Sequence, residues 1–305
     1  MAHDHHHHHH IDPDTGDTRV AWAVAVNIGL TLAQVIGGVL SGSLALIADA
    51  LHNFSDAVAL IIAFLARRIA RRPATAQMSF GYGRAEVVAA LVNYTTLILI
   101  AIFLIYEGVM RFFDPQPIDG WMVVWIAMIA LVVDLITAAL TYTMSKDSMN
   151  IRAAFLHNLA DALGSVAVIV AGTLVIVKGW TWVDPLATLM IAGYILWHVQ
   201  AEIGGVIRVL MLGSPPDLDP CDLAQAMGAV DGVGGVHRLH VWQMQEHQAA
   251  VQAHLVIAED AWHRADAIKL AVKNELHDRF AIRHSTLEIE SARHICRDTR
   301  LITGL

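Results

Sequence analysis

The chain has 305 residues, of which 56% are hydrophobic and 16% charged, with a formal net charge of −8. That is too apolar for an ordinary soluble protein, and no basic patch with interleaved aromatic residues is present, so no nucleic-acid partner is expected. Charges are sparse up to about residue 207 and dense beyond it, which predicts a membrane domain followed by a soluble one.

The first eighteen residues are polar and contain the run His5–His10, which reads either as an expression tag or as a metal-collecting arm. No cleavable signal peptide is visible. Six apolar segments follow, near 19–40, 44–66, 86–110, 121–143, 153–177 and 185–207. Each has about 20 residues, enough to cross a lipid bilayer as a helix, and together they predict a six-helix transmembrane domain over 19–207. SGS at 41–43 joins the first two, and the two prolines of FFDPQPID at 112–119 separate the third from the fourth. The joint after the second segment carries Arg67, Arg68, Arg71, Arg72 and Arg84, and the joint after the fourth carries Lys146 and Arg152. The opposite joints offer only Arg111 and Lys178. Positive charge marks the cytoplasmic side, so both termini and the soluble domain are expected there, on a multi-pass protein of the inner membrane.

A linker over 208–218 leads into the soluble part, with helix-start signals in GSPPDLDP at 213–220. Residues 219–230 read as a helix, VHRLHVWQM (236–244) and AVQAHLVI (250–257) alternate as strands, 261–279 has helical periodicity, and IRHSTLEIE (282–290) alternates again. This αββαβ order over 219–290 predicts a small α+β domain with its helices on one face of a sheet. Residues 291–305 read as a loose tail. The two cysteines, Cys221 and Cys296, make no disulfide framework and fit a reducing compartment.

Two stretches carry the chemistry: HNFSD at 52–56 and HNLAD at 157–161, each inside an apolar segment. On a helix, positions i and i+4 share a face, so His52 projects with Asp56 and His157 with Asp161. Packing of the second and fifth helices would bring two imidazoles and two carboxylates together, a donor set that suits tetrahedral zinc and also cobalt or cadmium. One such pair could be a hydrogen bond between helices. Two pairs at equal spacing, deep in hydrocarbon, point to function. Ala48, Ala50, Ala160, Ala162, Gly164 and Ser165 flank the motifs and permit close helix approach. Asp49 and Asp134 are further intramembrane carboxylates. Asp49 reads as an extra carboxylate on the metal path or a partner of the ligands, and Asp134 as a proton-linked group or a hydrogen-bond partner across the bundle. Neither H-E-x-x-H nor G-x-S-x-G is present, which argues against an intramembrane metalloprotease or a serine hydrolase.

SLALIADALHNFSD (43–56), FGYGRAE (80–86), FLHNLADALGSV (155–166), WVDP (182–185) and LHVW (239–242) together resemble the cation diffusion facilitator family, bacterial zinc and cobalt–zinc–cadmium resistance exporters in particular. The resemblance covers nearly the whole chain. It implies a homodimeric metal–proton antiporter with a six-helix membrane domain and a ferredoxin- or metallochaperone-like cytoplasmic domain. The implied transport site is His52, Asp56, His157 and Asp161, and a histidine at the head of the first motif resembles members that favour zinc over cadmium.

The chain also departs from that family. The joint SKDSMN (145–150) lacks the histidine-rich loop of many relatives, and RRPATAQMS (71–79) offers no histidine or carboxylate for the second metal that some relatives bind there. By resemblance, His237, His254 and His284 match positions where relatives bind zinc at the dimer interface, but Thr286 stands where some carry an aspartate. Surface or packing roles for these histidines stay open. Cys296 reads as an added ligand or a free tail thiol. Zinc, cobalt, cadmium and iron stay open as substrates, and so does a metal-responsive channel or sensor without proton coupling.

Overall fold

The computed structural model describes residues 28–142, 149–245 and 248–302, without the side chains of residues 60, 140–142 and 149–158. The His5–His10 run and the start of the first apolar segment lie outside the described residues. Helix α1 is described over Ile28–Ser41. It is followed by α2 (Leu44–Ala70), α3 (Ala85–Phe113), α4 (Gly120–Tyr142), α5 (Met149–Lys178) and α6 (Val183–Leu210). Each of α2–α6 contains a stretch long and apolar enough to cross a membrane. Each helix overlaps the segment expected for it. α2 runs four residues farther than expected, to Ala70, and Arg67 and Arg68 sit in its last turn, where cations favour the helix dipole.

The chain divides into two compact units, and the division passes through α2, α3 and α6. One unit holds residues up to Ile62 together with Asn93–Ala201. Its helices approach closely at glycines. A Cβ on Gly120 of α4 would stand 2.7 Å from the Gly172 carbonyl oxygen of α5, and one on Gly108 of α3 would stand 3.2 Å from Leu189 of α6. A Cβ on Gly164 of α5 would stand 3.3 Å from Asp49 Oδ1 of α2, so the two motif helices meet at that level.

The other unit holds Ala63–Val92 and the chain from Glu202 onward. Its α+β part runs α7 (Pro220–Gly228), β1 (Val233–Gln245), β2 (Gln248–Ile257), a 3₁₀ turn (Glu259–Arg264), α8 (Ala265–Phe280) and β3 (His284–Ser291). Asp219 caps α7 by accepting from the Cys221 amide at 2.8 Å, and Pro220 fits the first helical position. The sheet order is β1-β2-β3, with β1 antiparallel and β3 parallel to β2. Alternate residues of β2 (Val251, Ala253, Leu255, Ile257) face α7 and α8 and build the core with Leu223, Met227, Ile268, Val272 and Leu276. The expected αββαβ order is what forms.

Among the described residues of the tail, 300 and 301 are not loose. A bulge between His237 and His240 takes β1 out of register, with Arg238 at φ 51°. The amides this releases are met by the tail: Arg238 N donates to Arg300 O at 3.0 Å and Leu239 N to Leu301 O at 2.7 Å. Buried amides need partners, and sequence periodicity gives no sign that residues 300 and 301 supply them. In the same unit the α2–α3 joint docks on the hairpin. Arg84 donates to the carbonyls of Met244 (3.1 Å) and Gln243 (3.2 Å), and the Phe80 ring meets His284 edge-on at 5.8 Å.

Candidate metal centres

Two groups of metal-ligating side chains occur among the described residues. The first lies between α2 and α5. His52 Nε2 is 3.7 Å from Asp56 Oδ2 on its own helix, as the i, i+4 spacing requires, and 3.3 Å from Asp161 Oδ1 across on α5. One donor atom from each of the three lies within 4.8 Å of the others. Their side chains are 11%, 23% and 9% exposed in that order, so Asp56, the farthest along α2, is the most open. His157 is on α5 one turn before Asp161. Its side chain lies outside the described residues.

A polar network braces this group. Gln34 of α1 donates to Asp49 Oδ2 at 2.6 Å and accepts from Asn53 Nδ2 at 3.2 Å. All three side chains are buried, and they tie α1 to the turn of α2 that precedes and includes His52. Asp134 of α4 accepts from Ser165 of α5 at 3.2 Å, across the bundle. From α6, the Tyr194 ring stands edge-on to His52 at 6.4 Å and stacks on His198 at 6.4 Å. Gln34 and Tyr194 escaped the sequence reading, because a glutamine or tyrosine in an apolar run carries no motif. Their signal is only that each is a polar group at a depth where hydrocarbon is expected.

The second group is on the sheet face opposite α7 and α8. β1 and β2 pair His237 with His254, and their rings are 5.2 Å apart. β3 brings Glu290 beside both: its carboxylate is 2.6 Å from His254 Nδ1 and 3.3 Å from His237 Nε2. Glu288 reaches His254 Nε2 at 3.2 Å. The tail then folds over, placing Cys296 Sγ 3.8 Å from His254 Nδ1 while its amide donates to Glu290 Oε2 at 3.0 Å. One donor atom each from His237, His254, Glu290 and Cys296 fits within 4.8 Å. Two imidazoles, a carboxylate and a thiol are a donor set that fits four-coordinate zinc.

Burial by itself raises the Glu290 carboxyl, but hydrogen bonds from Cys296 and His254 and the nearby His237 outweigh it and bring the carboxyl down to about 2. The hydrogen bond to Glu290 in turn raises the Cys296 thiol. A metal entering here must therefore displace the thiol proton.

Of the three histidines that the resemblance pointed to, His237 and His254 come together and His284 does not. His254 pairs with Glu288, four residues beyond His284, which is about 13 Å along a strand. His284 is exposed and packs on Phe80 instead. Glu290 and Cys296 complete the group in its place. Alternation puts Glu290 on the face of His254, but it treats Glu288 alike and gives no reason to prefer either.

The description "Cation efflux transmembrane domain" matches residues 20–211, and "Cation efflux protein, cytoplasmic domain" matches residues 215–292. The zinc transporter ZitB of Escherichia coli is 35% identical over 293 residues, covering 95% of this chain and 93% of that protein. A cadmium, cobalt and zinc/H(+)-K(+) antiporter of Bacillus velezensis is 35% identical over 272 residues, 87% of this chain and 86% of its own. The metal cation efflux system protein CzcD of Cupriavidus metallidurans is 33% identical over 291 residues, 95% and 90% respectively. The chain is thus a multi-pass membrane transporter, not an enzyme, and it belongs to the cation efflux (cation diffusion facilitator) family.

Proposed function

We propose that this protein exports divalent metal cations, zinc foremost, from the cytoplasm in exchange for protons, as a homodimer with both termini cytoplasmic. The observation that carries the site is the 3.3 Å approach of His52 on α2 to Asp161 on α5, which joins the two motifs into one group. His157, one turn from Asp161, is the fourth ligand in this reading. The relatives named for zinc, cadmium and cobalt support the substrate class, and those named as antiporters support exchange for protons.

The chemistry follows from the donors. A metal needs neutral imidazole and ionised carboxylate, so binding displaces protons from His52 and His157. Histidine titrates near neutrality, so the pH on the exposed side sets whether metal or proton occupies the site. Zinc enters from the cytoplasm and the bundle turns the site outward. Protons then compete the metal off and return on the same ligands, an alternating-access cycle around a fixed intramembrane site.

A second reading concerns the sheet. His237, His254, Glu290 and Cys296 hold a resident zinc ion that rigidifies the cytoplasmic domain and its dimer, separate from the transported metal. The donor chemistry and the buried positions of His237, His254 and Glu290 favour it.

The test is zinc uptake into liposomes carrying the purified protein and a zinc-sensitive dye, under pH gradients of either sign. Uptake that reverses with the gradient is expected. Uptake indifferent to the gradient would make the protein a channel or uniporter, and bound zinc without uptake would make it a sensor.

A further inference from the structure

The end of the bundle where α2 begins is held by a buried carboxylate that belongs to neither metal group. Asp184, in the first turn of α6, is 1% exposed. Its Oδ1 accepts from Ser43 Oγ at 2.5 Å and its Oδ2 from the Leu44 amide at 2.8 Å, and both oxygens stand 3.4 Å from the Ala45 amide. These are donors of the first turn of α2, which have no partner within the helix, and a negative charge there also meets the positive end of the helix dipole. Arg111, near the end of α3, lies 4.0 Å from Asp184 Oδ2, pairs with Glu107 at 3.6 Å, and donates to the Gly42 carbonyl. The α3–α4 joint adds the Asp119 amide on the Ser41 carbonyl at 2.8 Å.

The origin of each partner matters. The transport ligands are on α2 and α5, which meet at Gly164 and Asp49, and α1 joins them through Gln34. α3 and α6 contribute no ligand, pack on each other at Gly108 and Leu189, and supply Arg111 and Asp184. The lock therefore ties a helix pair without ligands to the turn that opens the ligand helix.

Burial along α2 has a matching direction. Leu44, Ala45, Leu46, Ala48 and Ala50 are each 2% exposed or less. At the site itself, Asp56, one turn farther from the lock, is about twice as exposed as His52. The Ser43 side of the site is thus the closed side in this structure.

We propose that Asp184, clamped with Arg111 on the α1–α2 turn, is the outer lock of the transport cycle. It closes the path from His52, Asp56 and Asp161 to the extracytoplasmic side while metal loads from the cytoplasm, and it lets go when the site turns outward. The lock rests on the transport reading given above. Opening it is affordable only when outside water replaces the donors on a carboxylate that would otherwise stay buried and unsatisfied, which ties release of the lock to outward exposure.

The test uses intact cells making the full chain with Ala48→Cys, a buried position between the lock and His52. A membrane-impermeant thiol reagent is added outside, where the native cysteines of the cytoplasmic domain are shielded. With the lock intact the introduced thiol reacts slowly. Asp184→Asn is expected to speed labelling roughly tenfold, the shift in a two-state population that loss of a charge-assisted hydrogen bond produces, and Ser43→Ala by a smaller factor. Zinc export should fall in Asp184→Asn while the purified variant still binds zinc at the intramembrane site. Labelling unchanged in both variants overturns the lock, even if export is lost, since Asp184 would then be only a helix cap. If Asp184→Asn does not fold, Ser43→Ala and Arg111→Gln decide by the same criterion. Failure of the transport reading shows separately, as zinc export that persists in Asp161→Ala.

Discussion

The group between the helices and the group on the sheet both bring imidazole and carboxylate within 4.8 Å, yet they are finished differently. In the membrane, the candidate ligands come from α2 and α5, on separate stretches of chain, and none among the described residues is a thiol. On the sheet, adjacent strands fix three candidate ligands, and the tail adds a cysteine whose amide also donates to Glu290 at 3.0 Å. Ligands on separate helices move when the helices move, so their affinity can change during a cycle. Residues on paired strands are held at a fixed backbone spacing by the hydrogen-bonded ladder. On the reading proposed above, the same residue types serve exchange in one place and retention in the other, according to the backbone that carries them.

The sharpest way to break this distinction is to remove one ligand from each group. Asp161→Ala should lower zinc flux in liposomes by about 100-fold or more while zinc bound by the cytoplasmic domain is retained, as a flux assay paired with zinc titration will show. Cys296→Ser should do the converse. Zinc affinity at the sheet falls roughly 10- to 100-fold by competition with a chelating dye, and flux at saturating zinc changes by less than about twofold.

A third effect is on stability. The Glu290 carboxyl is held at about 2, below its ordinary 4.5. A carboxyl lowered on folding stabilises the fold fully above about pH 4.5, and that contribution is lost as the pH falls from there toward 2. Metal-free protein should therefore lose hydrogen-exchange protection in β2 and β3 across that window, after correction for intrinsic exchange. Glu290→Gln should flatten the dependence. The smallest effect expected is that of His284→Ala, which should leave zinc stoichiometry at the sheet unchanged and shift affinity by less than about twofold. A lost zinc equivalent in that variant would return His284 to the ligand set.

Much of this was legible before any coordinates. Apolar runs long enough to cross a membrane and period-two alternation in 236–244, 250–257 and 282–290 gave the layout, because burial and pleat leave those patterns directly in the residues. HNFSD and HNLAD gave three described members of the intramembrane group, because helical spacing converts four residues into one turn. What escaped depends on contacts between distant segments. His284 resembled a ligand, but register sets it about 13 Å along the strand from the position beside His254. Cys296 joins the sheet through its amide on Glu290, and residues 300 and 301 through two amides freed by a bulge in β1, and no periodicity announces either. Asp184 looked like part of a WVDP stretch. Its partners on the α1–α2 turn, about 140 residues away in sequence, become visible only when α6 is placed beside them.

The most direct test of the account compares zinc flux, under one fixed pH gradient, through liposomes carrying the unmodified protein, Asp161→Ala, or Glu290→Ala combined with Cys296→Ala. The account predicts gradient-driven flux in the first, none above empty liposomes in the second, and flux within about threefold of the unmodified protein in the third. Flux that survives Asp161→Ala but vanishes when the sheet ligands are removed would contradict it, because the metal would then be crossing by a route that does not use the helix site.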